Sequence, residues 1–110
     1  MVDNIKDREK AFENKFVHEG EIKFKVDARR RKLLGLWAAE SMGYGEVDSL
    51  KYAMEIVNYG LDNTADGAVI SKIATDFESK AFSISEETIR EKNQELEIVA
   101  SRQISSGTQS

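Results

Sequence analysis

The chain has 110 residues, of which 40% are hydrophobic and 33% charged, with a net charge of −4. This composition is typical of one small soluble domain. Cysteine is absent and His18 is the only histidine, which excludes disulfides, a thiolate metal site and a histidine-rich metal site. The apolar run at residues 33–39, interrupted by Gly35, is too short to cross a bilayer.

The N-terminal third differs in charge from the rest of the chain. Residues 1–32 carry ten Lys/Arg against seven Asp/Glu, whereas residues 33–110 carry six against thirteen. Residues 1–20 hold few apolar side chains, and Phe12 and Phe16 stand four apart, on one face of a helix. A polar segment ahead of an acidic body predicts an interaction arm. On composition alone, both phenylalanines fit equally well into the core of a longer first helix.

The next segment, residues 21–42, is ambiguous at its start. Ile22, Phe24 and Val26 alternate with charged residues, which is a strand pattern, and helical spacing follows. Because a lone strand would have no partner elsewhere in the chain, we predict one helix over residues 21–42. Gly43 suits a left-handed cap at its C-terminus, and Trp37 is expected in the core.

Three further helices are predicted after this turn. Asp48 or Ser49 would cap the second helix, and Gly60 would end it or lie just past its end. Its predicted core stripe, at spacings of four, three and four, consists of Leu50, Met54, Val57 and Leu61. Thr64 or Asp66 would cap the third helix. Its predicted buried residues are Val69, Ile70, Ile73, Ala74, Phe77 and Ala81.

The fourth helix is predicted to begin at Ser85, with Ile84 and Ile89 as a hydrophobic staple. Its apolar face continues through Leu96, Val99 and Ala100. Four helices with short loops predict an all-α, antiparallel four-helix bundle carrying a flexible N-terminal arm. The expected division is a mobile arm at residues 1–20, the bundle at residues 21–104 and a disordered tail at residues 105–110.

The first 43 residues contain an ordered series of motifs. They are Asp7-Arg8-Glu9-Lys10-Ala11-Phe12-Glu13, Lys15-Phe16, His18, Phe24-Lys25, Ala28-Arg29-Arg30, Lys32-Leu33-Leu34-Gly35-Leu36-Trp37-Ala38-Ala39-Glu40 and Gly43. This series resembles the zeta subunit, the ATPase inhibitor family of alphaproteobacterial ATP synthases. Gly20 departs from the acidic or polar residue expected there, which leaves open whether the arm and the first helix form one helix.

The resemblance implies a non-catalytic inhibitor of ATP hydrolysis without cofactor or metal. Its partner would be the catalytic sector of the F-type ATP synthase, formed by the alpha, beta and gamma subunits. Its location would be cytoplasmic, peripheral to the inner membrane through the synthase. The implied inhibitory arm comprises Asp7, Arg8, Glu9, Lys10, Ala11, Phe12, Glu13, Lys15 and Phe16. The implied anchor helix carries Phe24, Arg29, Arg30, Lys32, Leu33, Leu36 and Trp37.

The energetics of the arm favour folding on binding. Ordering one residue costs ~1–2 kcal/mol of backbone entropy, whereas burying Phe12 or Phe16 returns only ~1.5–3 kcal/mol each. The arm therefore needs a partner that supplies an apolar groove and opposite charges. We expect it to enter an interface between catalytic subunits as a helix.

Other interpretations of single motifs are weaker. The basic run at residues 29–32 would suit nucleic acid or acidic lipid, but an acidic chain without interleaved aromatics favours a solvated helix face. His18 could sense pH or simply be an exposed arm residue. Gly43-Tyr44-Gly45 lacks the Lys and Ser/Thr of a phosphate loop. The remaining alternative is a helical adaptor or nucleotide-sensing binding module without inhibitory activity.

Overall fold

The computed structural model describes residues 4–65 and 67–107, and the side chains from residue 19 onward within those ranges. All regular structure in these residues is helical, in the order α1 (Asn4–Ser41), α2 (Glu46–Asp62), α3 (Ala68–Ser79) and α4 (Glu86–Ser105). The predicted all-α class with four helices is confirmed. Helix α1 encloses the predicted first helix and passes through Gly20 without a break.

The C-terminus of α1 and the N-terminus of α4 have the caps that the sequence predicts. After α1, Gly43 adopts φ +83°, and the Tyr44 N–H donates to the Ala39 carbonyl at 3.0 Å. This left-handed turn satisfies carbonyls at the end of the helix. At the start of α4, the Ser85 hydroxyl accepts from the Thr88 N–H at 3.2 Å. Both predicted caps are confirmed.

The core is built around the C-terminal half of α1, which packs mainly on α2 and α4. The largest fully buried side chains of the core are Leu34, Ile56, Ile73, Phe77 and Ile89. Trp37 is half-buried and meets Phe77 edge-to-face, with ring centroids 5.8 Å apart. Burial of such aromatic and aliphatic groups is the main stabilising term for a bundle of this size.

Helix α2 turns a different face inward from the one predicted. Leu50, Met54 and Leu61 are 46%, 48% and 46% exposed, so the predicted core stripe is wrong at these three positions. The buried residues are instead Ser49, Tyr52, Ala53, Ile56 and Gly60.

The physical reason is a close approach between α1 and α2. A Cβ added at Gly35 would lie 2.7 Å from the Ala53 Cα and 3.3 Å from Ile56. Small residues let two helix backbones come together, and here they select the face that turns inward. Gly60 belongs to this contact as well, because the Arg31 side chain lies over it. Helix α2 continues to Asp62, so the prediction that Gly60 ends the helix or lies just past its end is wrong.

The predicted caps of α2 and α3 are also wrong. Helix α2 begins at Glu46 after an extended Gly45, so Asp48 and Ser49 lie inside its first turn. Ser49 is buried, and its hydroxyl donates to the Tyr44 carbonyl at 3.4 Å. The N-cap of helix α3 is Gly67, with φ +82°, and not Thr64; Asp66 lies outside the described residues.

Ala81, predicted to be buried, is exposed. It lies beyond the end of α3 with φ +61°. The chain leaves the helical path here, since Phe82 N–H donates back to the Phe77 carbonyl at 2.9 Å.

The contact at Gly35 gives a stability test. Gly35→Ala should lower the free energy of unfolding by about 1–3 kcal/mol, because the added methyl group meets backbone atoms that cannot move aside. The gain in helix propensity, ~1 kcal/mol, offsets only part of this loss. Urea denaturation measures the change.

The matched control is Gly20→Ala, where an added Cβ meets nothing within 4 Å. This variant should be as stable as the unmodified chain or slightly more so. Equal stability of Gly35→Ala and the unmodified chain would contradict the close approach.

Candidate functional site

Helix α1 joins the predicted arm to the bundle. Its 38 residues correspond to about 57 Å at ~1.5 Å per residue, nearly twice the length of α4. The side chains of the predicted inhibitory arm are not among those that the structure describes. They are Asp7, Arg8, Glu9, Lys10, Ala11, Phe12, Glu13, Lys15 and Phe16, with His18 beside them.

The first described turns of α1 are exposed. Residues 19–25 are all exposed, including Ile22 at 39% and Phe24 at 58%, and burial begins at Val26. An added Cβ at Gly20 would meet nothing. The helix therefore emerges from the bundle at about Lys25, and Phe24 lies on the emerging part.

A groove runs between α1 and α2 directly beside this point. It has a volume of about 310 Å³, and its apolar lining includes Phe24, Ala28, Met54, Val57 and Ile104. Most of the lining is apolar, although the groove is open to solvent. Met54, predicted for the core, is thus a surface residue of this groove.

The same two helices form a second depression farther along. Its lining includes Leu36 and Glu40 of α1, Leu50 of α2 and Tyr44 of the connecting turn. Leu50 is 46% exposed there. Together the two depressions extend along the α1–α2 pair; we call them the α1–α2 groove.

Basic side chains of α1 also line the groove. Lys25, Arg29 and Lys32 lie four and three residues apart and share one face of the helix. Three cations beside an apolar surface make the groove amphipathic, which is a property of protein-binding surfaces.

The predicted anchor residues fall on two sides of α1. Phe24, Arg29, Lys32 and Leu36 line the α1–α2 groove. Arg30 instead faces α4, with its guanidinium 3.5 Å from Asp27 and 4.0 Å from Glu97. The other two, Leu33 and Trp37, are half-buried, with Trp37 packed on Phe77. The structure thus brings only part of the predicted set together on one surface.

A polar network fixes α2 against α3. The Tyr52 hydroxyl donates to Asp76 Oδ2 at 2.7 Å, and Lys72 Nζ lies 2.9 Å from the same oxygen. Lys72 Nζ also lies 3.0 Å from Glu55 Oε2. This network could not be predicted from the sequence, because its members are distant in the chain and are residue types that are common on protein surfaces.

Both donors of the network have raised pKa values. Burial, followed by the hydrogen bond to Asp76, raises the pKa of Tyr52 far above its usual range. For Lys72, burial alone would lower the pKa, but the hydrogen bonds to Asp76 and Glu55 outweigh it and raise the pKa. The folded state therefore holds both protons more tightly than the unfolded chain.

Comparison with known proteins assigns the family. The sequence profile of the family described as ATPase inhibitor subunit zeta matches residues 1–103. The chain belongs to the ATPase inhibitor subunit zeta family. A solution NMR structure of a protein is 32% identical to this zeta-family chain, with a TM-score of 0.68, and the match covers 78% of this chain and 98% of that one. The comparison with curated proteins gives no match.

The match includes the predicted arm and all of the named α1–α2 groove residues except Ile104. A zeta-family chain belongs to a regulatory family. Among the residues that the structure describes, no three His, Cys, Asp or Glu side chains are grouped closely enough to hold a metal ion. No helix in the described part of the chain is long and apolar enough to span a membrane.

The α2–α3 network of this zeta-family chain can be tested by removing one hydroxyl group. Tyr52→Phe should lower the free energy of unfolding by about 1.5–3 kcal/mol, the range for a hydrogen bond to a charged group. The control Tyr59→Phe keeps its ring near Lys72 and should cost less than about 0.5 kcal/mol. Equal losses in the two variants would exclude the Tyr52–Asp76 bond as a stabilising contact.

Alkaline pH should weaken the same network. A raised pKa in the folded state stabilises the fold fully below the unfolded pKa, which is about 10 for both Tyr and Lys, and this stability is lost as the pH rises. We expect Tyr52→Phe to lose less stability between about pH 8 and pH 11 than the unmodified chain. Urea denaturation across this range measures the difference, and parallel pH profiles for the two proteins would contradict it.

Proposed function

We propose that this chain inhibits ATP hydrolysis by the F-type ATP synthase, with residues 1–20 as the inhibitory arm. The observation that carries the proposal is the family match, which spans residues 1–103 and so includes the arm together with the bundle. The chain itself would perform no chemistry and need no cofactor. Its action would be cytoplasmic, peripheral to the inner membrane through the synthase.

The proposed mechanism is a wedge. The arm would enter an interface between catalytic subunits of the synthase as the N-terminal part of α1. Phe12 and Phe16 would anchor it in an apolar groove, since both lie on one helix face. A helix in that interface would prevent the subunit closure that each catalytic cycle requires.

Charged arm residues would set the orientation. Arg8, Lys10 and Lys15 would meet acidic groups of the synthase, and Asp7, Glu9 and Glu13 would meet basic ones. Opposite charges on both sides of an interface mainly fix register and speed up encounter.

The continuity of α1 supports this mechanism. Helical geometry covers residues 4–41, so a bound arm would extend rigidly from the bundle. Isolated helices shorter than ~12–15 residues are marginal in water. We therefore propose that contact with the synthase stabilises the helical arm. The proposed division is the arm at residues 1–20, the bundle at residues 21–104 and a C-terminal tail at residues 105–110.

Deleting residues 2–19 should abolish inhibition of ATP hydrolysis by purified ATP synthase. The double substitution Phe12→Ala and Phe16→Ala should raise the half-inhibitory concentration by at least about a hundredfold, since the two phenylalanines together contribute ~3–6 kcal/mol when buried. A coupled ATPase assay, titrated with each variant, measures both effects.

The matched control is Asn14→Ala, which changes the same arm on the side of the helix opposite Phe12 and Phe16. It should inhibit at nearly the concentration of the unmodified chain. Full inhibition by the deletion variant would show that the arm is not the effector.

A further inference from the structure

Helix α2 has two apolar faces. One consists of Tyr52, Ala53, Ile56 and Gly60 and is buried against the bundle. The other consists of Val47, Leu50, Met54, Val57 and Leu61, of which Val57 is half-buried and the rest are 46–65% exposed. A soluble helix needs only one apolar face to join a bundle. The second, exposed face is therefore available to bind a partner.

The spacing of the exposed face indicates what kind of partner fits. Its residues are separated by three, four, three and four positions, which is the repeat that packs against another helix. The face spans 14 residue steps, about 21 Å, or nearly four helical turns. The α1–α2 groove beside it supplies Phe24, Ala28 and Leu36 as the opposite wall.

The charge of the groove restricts the partner further. Lys25, Arg29 and Lys32 follow one edge, so an incoming helix would be favoured by acidic residues along its flank. The far end of the groove is lined by Glu40 and Glu46 instead, so the acidic flank of the partner would lie at the end near Lys25.

The position of the groove connects it to the arm. Phe24 and Lys25 lie on α1 where it emerges from the bundle, only four and five residues beyond Gly20. Five residues of helix cover about 7–8 Å. An arm seated in the synthase would thus hold this end of the groove against the surface around the arm's entry point.

We propose that the α1–α2 groove binds an amphipathic helix with an acidic flank on the catalytic sector of the ATP synthase, next to the site of the arm. This inference rests on the proposed function and assigns the bundle its own role in it. The groove anchors the chain and sets its affinity, while the arm stops the catalytic cycle.

The test separates affinity from blockade. In the full-length chain, Leu50→Gln with Met54→Gln should raise the half-inhibitory concentration for ATP hydrolysis about tenfold, the effect of losing a central apolar contact. Inhibition at saturation should stay complete, because the arm is unchanged. The matched control Ile98→Gln alters an α4 residue that is 58% exposed and outside the groove lining, and should inhibit like the unmodified chain.

A second variant tests the basic charge of the groove at an exposed position, where the substitution should not affect folding. Lys25→Glu changes an exposed residue, so its thermal unfolding should match that of the unmodified chain. Its half-inhibitory concentration should rise severalfold at low salt, and the difference should shrink as salt screens the charges.

The outcomes distinguish this inference from the proposed function. If the unmodified chain inhibits and both groove variants inhibit equally well, the groove inference is wrong and the function stands. If the unmodified chain does not inhibit, both fail. Sedimentation should show a monomer; a dimer that Leu50→Gln with Met54→Gln dissociates would assign the groove to a second copy and overturn the proposal.

Discussion

The close approach of α1 and α2 at Gly35 is the constraint on which the rest of the structure depends. Because Gly35 has no side chain, the α2 backbone reaches α1 at Ala53 and Ile56. This contact fixes the rotation of α2 about its own axis. The rotation that buries Ile56 leaves Leu50 and Met54 exposed, so the same contact that closes the core also creates the α1–α2 groove.

Helix α1 belongs to two parts of the molecule. Its C-terminal half, through Leu34, Ala38 and Ala39, is fully buried in the core, while its residues 19–25 are exposed. The stability of the bundle is therefore concentrated at the end of α1 that is far from the arm. A helix held at one end in this manner can present its other end to a partner without loosening the core.

Structural features that depend only on neighbouring residues could be predicted from the sequence. The left-handed turn at Gly43 and the cap at Ser85 follow from local chemistry, because each needs only a residue type and the helix beside it. The number of helices likewise follows from short-range periodicity. These features could be predicted without knowing which helices pack against each other.

The rotation of α2 and the composition of the groove could not be predicted in this way. Sequence periodicity favoured the larger apolar side chains at Leu50 and Met54, whereas packing favoured the small residues Ala53 and Gly60 that face Gly35 and Arg31. Two apolar faces compete on one helix, and only the partner helix decides between them. The Tyr52–Asp76 hydrogen bond joins residues 24 positions apart. It could not be predicted either, because it depends on how α2 and α3 pack.

An unbroken α1 also sets a helical phase between the arm and the groove. Each residue of an α-helix turns the chain by about 100°, so one residue inserted near Gly20 would rotate the direction in which the helix presents the arm by about 100° relative to the bundle. A substitution at an exposed position in the same stretch leaves that direction intact. The spacing between arm and bundle is thus more tightly constrained than the identity of the residues that fill it.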